Sequence, residues 1–460
     1  MEPLDVTAVV DLSDAGSGVR EFPGKLLFDH NDQAVELELL LAGLDKKLTE
    51  KALADEASDF LGGKAVSLRL ADRREIRTTI KGVAGSRFNL PAEVFVYCVL
   101  GNAEFGTLVQ PLQGAWSFRL TNVKLRRYDL TTQTPAPPGL PDDQRGWTLD
   151  RMTLNLGGRG WELKDELFCQ AKKQREANIQ VPLVTASLRT PVHAHDTPES
   201  VSRDADAIAA LLTLALARSV QAVKLEHVDT GGNCDWWRTR DLVAYAFGQF
   251  GFPAVDNWES GTLRSFIEHA YPVVAADRAW WLPTLGRFMQ VHVNPCLETK
   301  AMLLYMLADR IAAKFVARPT GAEIDADLDK KLRGREFREQ LHALLGGLSN
   351  NWKKQRTDNL IGVIKQWNAG PSFIKGITRA CQALDLKPPG AKFLGARHRL
   401  MHLGELHLPH VTPESFWTEL EALILFLMLR MLKYDGLAYA AHYGCHPIRL
   451  RDSVIQCAST

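Results

Sequence analysis

Hydrophobic and polar residues alternate along roughly the first 190 positions of the chain. The alternation is clearest in AVELELLL (34–41), AVSLRLADRREIRTTI (65–80), EVFVYCVL (93–100) and WSFRLTNVKLRRYDL (116–130), and it continues in 148–158 and 182–190. A period of two predicts β-strands with one buried and one solvated face. We therefore expect antiparallel strands in a sandwich or small barrel rather than a parallel nucleotide-binding sheet.

The period changes to that of a helix near residue 197. Thr197 is a suitable N-cap and Pro198 a suitable first helical residue, and helical patterns dominate from there onward. The last clear helix is expected to begin with Thr412 as its cap and Pro413 at its first position, and to stop by Gly436. Its middle, 422–432, is apolar on nearly all sides, which predicts a helix buried in a bundle.

The two patterns together predict an α+β protein. At 460 residues the chain is long enough for two or three domains. We expect a β-rich N-terminal domain over 1–195, resembling a sandwich or barrel, then a helical middle region over 196–295 and an all-α region over 296–460.

Composition indicates the class of protein and the cellular compartment. Hydrophobic residues make up 46% and charged residues 24% of the chain, as is ordinary for a globular protein. The first residues show no secretory signal, and no apolar run approaches the length of a membrane span. Seven scattered cysteines without a CxxC pair are typical of reduced thiols. We expect a cytoplasmic protein, and the absence of a phosphate-cradling motif predicts no cofactor.

Positive charge is concentrated late in the chain. Residues 330–400 contain 15 lysines and arginines against 4 acidic residues, a net charge of +11, although the whole chain carries only +1. Such a segment attracts polyphosphates. A solvated basic helix face explains the same charge equally well.

One arginine–histidine pair stands at the end of this basic segment. The spacing R-x(4–6)-H occurs five times, so the spacing alone decides nothing: Arg189/His195, Arg264/His269, Arg287/His292, Arg335/His342 and Arg397/His402. Only Arg397 is followed by a second histidine, His398, and only this pair is followed by a short loop and then the apolar last helix.

These residue types suit cleavage of an RNA phosphodiester. The planar guanidinium of Arg397 can hold the phosphate, and the imidazole of His402 can withdraw a proton from the ribose 2′-hydroxyl. Two alternatives use the same atoms. His398 and His402, four apart, are suitably spaced for a metal, although two flanking arginines would repel a cation. Otherwise His402 packs or caps a helix and the arginines face solvent.

Two other clusters are chemically less specific. His193, His195 and Asp196 lie where the β pattern gives way to helices, and we expect them to be exposed loop residues. The tryptophan pairs 236/237 and 280/281 are expected in a core or interface rather than as platforms for nucleic-acid bases.

The stretch GARHRLMHLGE (395–405), the following loop, the apolar helix and MLKYDG resemble the HEPN ribonuclease family. The likeness is greatest to the large ApeA-like HEPN proteins of prokaryotic anti-phage defence, and it is specific over 296–445. The family signature maps onto Arg397, His398 and His402. The resemblance implies that an acidic residue of an earlier helix supports the site, with Asp309 the best counterpart and Glu298 behind it.

The resemblance implies a C-terminal HEPN helical bundle with metal-independent endoribonuclease activity. It further implies a homodimer with a composite active site, RNA as substrate, no metal, and an N-terminal sensor domain that answers a phage-derived trigger in abortive infection. The alternative is a non-catalytic HEPN module that binds RNA, nucleotide or a partner protein in a regulatory role.

Overall fold

The structure is a computed structural model of the chain. It describes residues 4–13, 18–28, 34–41, 61–71, 74–89, 93–108, 110–123, 125, 132–134, 149–165, 184–240, 254–255, 261–293, 297–315, 336, 339–340, 343, 373–389, 394, 413–438 and 448–449. The chain forms two compact units, Met1–Met289 and Gln290–Thr460. Strands dominate the first and helices the second, so the predicted α+β class is confirmed.

The first six strands close into an antiparallel barrel. They are β1 (Leu4–Leu12), β2 (Gly18–Phe28), β3 (Ala34–Leu41), β4 (Ala65–Leu70), β5 (Glu75–Asn89) and β6 (Glu93–Leu100). Around the ring the order is β4-β1-β2-β3-β6-β5, and pairing between β4 and β5 completes the circle. Of the two architectures that the alternation allowed, the structure therefore has the barrel.

The barrel forms because the alternating residues place one apolar set inside. Along β1, residues such as Ala8, Val10 and Leu12 are buried while their neighbours are less so. Leu37 and Leu39 of β3 and Val94 and Val96 of β6 join the same core. Closure leaves these strands without the unpaired edges of an open sheet.

Eight further strands extend the sheet from β5. They are β7 (Glu104–Gly106), β8 (Ala115–Thr121), β9 (Thr132–Thr134), β10 (Leu149–Leu156), β11 (Arg159–Asp165), β12 (Val184–Pro191), β13 (Ala222–Val228) and β14 (Cys234–Thr239). Their order from the barrel outward is β7-β14-β13-β8-β12-β11-β10-β9, with every neighbour antiparallel.

Two helices of the first unit pack with this extension. Helix α1 (Pro198–Leu216) contacts β8 and β13, and α2 (Thr262–Ala276) contacts α1 and β10. Helix α3 (Arg278–Val293) follows, and the boundary between the units falls within it. The predicted cap of α1 is confirmed: the Thr197 hydroxyl accepts from the Ser200 backbone N–H at 3.1 Å, and Pro198 is the first helical residue.

We expect Thr197→Ala to destabilise the start of α1 by about 1 kcal/mol, because the Ser200 N–H loses its acceptor. Thr197→Ser keeps the hydroxyl and should leave stability nearly unchanged. Amide hydrogen exchange over 198–204 measures the difference. Equal protection in both variants would contradict the role of the cap.

The region 196–295, predicted to be helical, contains two strands as well as helices. Residues 222–239 within it form β13 and β14, which join at the turn 229–233. The segment AVKLEHV alternates too briefly to stand out after a long helix. It becomes a strand because β8 and β14 satisfy its backbone hydrogen bonds on both sides.

The second unit has three described helices: α4 (Leu297–Phe315), α5 (Phe373–Ala383) and α6 (Pro413–Met431). Helix α4 packs against both α5 and α6. A short pairing joins β15 (Leu437–Ala438) and β16 (Ile448–Arg449). Every residue of α6 from Glu419 to Leu429 is buried, as its apolar middle predicts. Its predicted cap, Thr412, lies outside the described residues.

No helix in the described ranges is long and apolar enough to cross a membrane.

Candidate functional site

The predicted catalytic residues of the arginine–histidine signature, Arg397, His398 and His402, lie outside the described residues. The roles assigned to them therefore stay predictions. Glu405, His407 and His410 are nearby residues of types that bind metals, and they lie outside the described residues as well. Within the described part, no group of three His, Cys, Asp or Glu side chains lies close enough to hold a metal.

Asp309, the predicted supporting carboxylate, is described. It is partly exposed and lies on α4 between the buried residues Ala308 and Ile311. Glu298, the second candidate for the supporting carboxylate, lies in the first turn of the same helix. Its side chain is outside the described residues. Asp309 is thus on a helix that packs against α6, the helix that follows the signature in sequence.

The described part of the second unit contains a buried acid and a buried base that face each other. Glu421 lies on α6, and His292 lies in the last turn of α3. The Glu421 Oε1 and His292 Nε2 atoms are 3.8 Å apart, and the two side chains are 9% and 5% exposed. We call these two residues the buried pair.

An aromatic side chain and a lysine surround the buried pair. Trp417 is four residues before Glu421 and therefore on the same face of α6. Its ring meets the imidazole of His292 edge-on, with centroids 6.4 Å apart. The Lys300 ammonium, from the first turn of α4, lies 4.8 Å from the Trp417 ring centroid in a cation–π contact.

Burial shifts both members of the pair toward their neutral forms. Burial lowers the pKa of His292 to about 4, and the positive charge of Lys300 acts in the same direction. Burial also raises the pKa of Glu421 to about 7, although Lys300 opposes this shift. Between about pH 4 and pH 7 the pair is therefore a neutral carboxylic acid beside a neutral imidazole.

Sequence reasoning did not select the buried pair. His292 appeared only in one of the five arginine–histidine spacings, and its partner is 129 positions away in the chain. One signal was present: Glu421 directly precedes an all-apolar run on a helix expected to be buried, so its carboxylate had to be accommodated in a core.

A separate cleft of about 530 Å³ opens in the first unit where β5, β7 and β14 meet. Arg77, Cys234 and Asp235 line it. Arg77 already bonds to Glu104 at 3.0 Å, and Asp235 bonds to the Nδ1 atom of His227 at 2.6 Å. Because burial raises the pKa of the Cys234 thiol, that group stays protonated at neutral pH and is not an activated nucleophile.

The loop cluster His193, His195 and Asp196 was predicted to be exposed, and the structure corrects this for Asp196. Its side chain is 9% exposed. It accepts hydrogen bonds from the Arg159 guanidinium, from the Trp116 indole at 3.1 Å and from the His193 backbone N–H at 2.8 Å. Both histidines stay at least partly exposed, as expected. Asp196 therefore connects β8 and β11, through hydrogen bonds, to the residues just before α1.

The tryptophan pairs divide between core and partly buried positions. Trp236 and Trp281 are buried, whereas Trp237 and Trp280 are partly buried. Trp237 stacks on Phe105 with centroids 5.7 Å apart. The prediction of core or interface positions is confirmed for the two buried members.

Comparison of the chain with protein-family models, with curated proteins and with solved structures finds no match.

Proposed function

We propose that the second unit is a metal-independent endoribonuclease of the HEPN type. The observation that carries the proposal is the sequence Arg397-His398-x3-His402, at the end of a segment of net charge +11 and ten residues before the apolar helix α6. We place the protein in the cytoplasm, in abortive defence against phage. The first unit would act as a sensor or regulator that answers a phage-derived trigger.

Features of the described helices support this proposal. Helices α4 and α6 pack together, and α6 is buried through its middle, as a bundle requires. Asp309 is partly exposed on α4 and can present a carboxylate to a neighbouring basic group. A protein of this kind would form a homodimer in which two copies of the signature share one cleft.

The reaction proposed needs no group beyond the protein and the RNA. The 2′-oxygen forms a bond to phosphorus as the bond between phosphorus and the 5′-oxygen breaks. His402 takes the proton from the 2′-hydroxyl as general base and gives it to the leaving 5′-oxygen as general acid, so that no proton is gained or lost. Arg397 binds the phosphate and offsets its charge, and His398 orients or polarises it. The products are a 2′,3′-cyclic phosphate and a 5′-hydroxyl.

We expect overproduction of the full chain to arrest the growth of phage-infected cells, and we expect Arg397→Ala to abolish that arrest. The guanidinium would no longer neutralise the scissile phosphate, so RNA would stay intact. Arg399→Ala, two positions away and outside the signature, is the matched control and should retain the arrest. Growth curves and total RNA integrity, with and without infection, are the measurements.

Two outcomes would redirect the proposal. Equal behaviour of wild type and Arg397→Ala would favour the non-catalytic HEPN module that binds RNA, nucleotide or a partner protein. Cleavage that EDTA removes from purified protein would favour a metal-dependent hydrolase, in which His398 and His402 are ligands instead.

A further inference from the structure

The buried pair can exist in two arrangements that bind the same single proton. In one, the proton is on the imidazole and the pair is an ion pair of His292 and Glu421. In the other, the proton is on the carboxyl and both groups are neutral. The geometry of the three surrounding helices distinguishes between them.

Distance and burial argue against the ion pair. At 3.8 Å the two facing atoms are beyond hydrogen-bond length, so the attraction between opposite charges is not reinforced by a short contact. Both side chains are removed from water, and two buried ions lose more hydration energy than an imperfect contact returns.

The charged residues near the imidazole also argue against the ion pair. Lys300 of α4 brings a positive charge to this junction, and that charge disfavours a second positive charge on His292. Glu419 is two positions from Glu421, about 200° around α6, so it faces another direction. Asp309, the nearest described carboxylate of α4 beyond Lys300, is nine residues or about 13 Å farther along the helix.

We propose that His292 and Glu421 form a proton-binding site in the core of the second unit, with the proton held on the carboxyl and the imidazole neutral. The site uses none of the residues of the predicted signature, and its existence does not depend on ribonuclease activity. In the unfolded chain the same proton moves to the histidine, because an exposed imidazole is the stronger base.

The proposal has an unusual consequence for stability. For Glu421 alone, the folded pKa lies above the unfolded one, so its stabilising contribution is complete below about pH 4.5 and is lost as pH rises to about 7. For His292 alone, the folded pKa lies below the unfolded one, so its contribution is complete above about pH 6.5 and is lost as pH falls to about 4. Between pH 4.5 and 6.5 the two effects cancel.

Single substitutions should expose the two opposing dependences. In Glu421→Gln only the histidine remains, and the protection of α6 amides relative to wild type should rise about 15- to 20-fold from pH 5 to 6.5. In His292→Gln only the carboxyl remains, and relative protection should fall by about the same factor. The double variant is the matched control, and its ratio to wild type should not change with pH.

The measurement is amide hydrogen exchange of the full-length chain over 413–431 at matched pH values. Comparing each variant with wild type at one pH cancels the intrinsic exchange rate and the titration of the rest of the protein. Slopes of opposite sign in the two single variants support the proposal. Parallel slopes, or no slope in either, overturn it.

A second measurement uses wild-type protein alone, in case a variant does not fold. Exchange of the imidazole C2 hydrogen, followed by mass spectrometry of the peptide that contains His292, reports whether the ring is charged. A neutral ring at pH 5.5 supports the proposal. An imidazolium at that pH would show the ion pair and overturn it.

Discussion

Purified His402→Ala protein should cleave RNA more slowly than wild type by a factor on the order of 10²–10⁴, the usual contribution of a positioned proton carrier. Under the mechanism proposed, the imidazole of His402 withdraws the proton of the 2′-hydroxyl, and alanine offers no substitute. Single-turnover cleavage of an end-labelled RNA measures the chemical step without product release. The product of wild type should carry a 2′,3′-cyclic phosphate.

Two controls give this experiment its meaning. His407→Ala removes a nearby histidine outside the signature and should leave the rate almost unchanged. Circular dichroism and gel filtration should show that the His402 variant keeps its fold and its oligomeric state. Cleavage at the wild-type rate by the folded variant would remove His402 from the mechanism. If wild-type protein cleaves no RNA even with the phage-derived trigger present, a non-catalytic binding module is favoured.

The strands of the barrel could be predicted from the sequence because their pattern is local. β3 and β6 have the bounds that alternation gave, since each presents one apolar face to a single core. The run 65–80 instead divides into β4 and β5, and the Leu70 N–H at the end of β4 donates to the Arg74 carbonyl just before β5 at 2.9 Å. Closure of the ring could not be predicted, since it depends on pairing between distant strands.

The buried polar sites could not be predicted for a related reason. Asp196 looks like a loop residue until Arg159, on a strand 37 positions earlier, reaches it. From the sequence, Glu421 is a polar residue at the border of an apolar run, and only the structure shows that His292 of α3 packs beside it. In both cases burial of the ionisable side chain depends on packing between separate elements, and residue types alone do not encode that. Charge and spacing did identify the signature at Arg397, which stays a prediction.

Asp196→Ala should destabilise the first unit by about 3–5 kcal/mol, the range for a buried ion pair that loses one partner. Arg159 is only 11% exposed, and it would keep Asp204, at 3.9 Å, as its nearest recorded carboxylate. The Trp116 indole N–H and the His193 backbone N–H would lose their acceptor as well. Because each abandoned buried donor carries its own desolvation cost, the loss should exceed that of an ordinary ion pair.

An exposed ion pair of the same unit provides the matched control. Arg69 and Glu21 are 2.7 Å apart, but their side chains are 54% and 57% exposed. Glu21→Ala should therefore cost less than about 1 kcal/mol. Urea unfolding of the full chain, followed by hydrogen exchange in β8 and β11, measures both variants. If Asp196→Ala lowered the free energy of unfolding no more than Glu21→Ala does, Asp196 would not be needed to hold the sheet and α1 together. Other contacts of Arg159 would then have to balance the burial of its guanidinium.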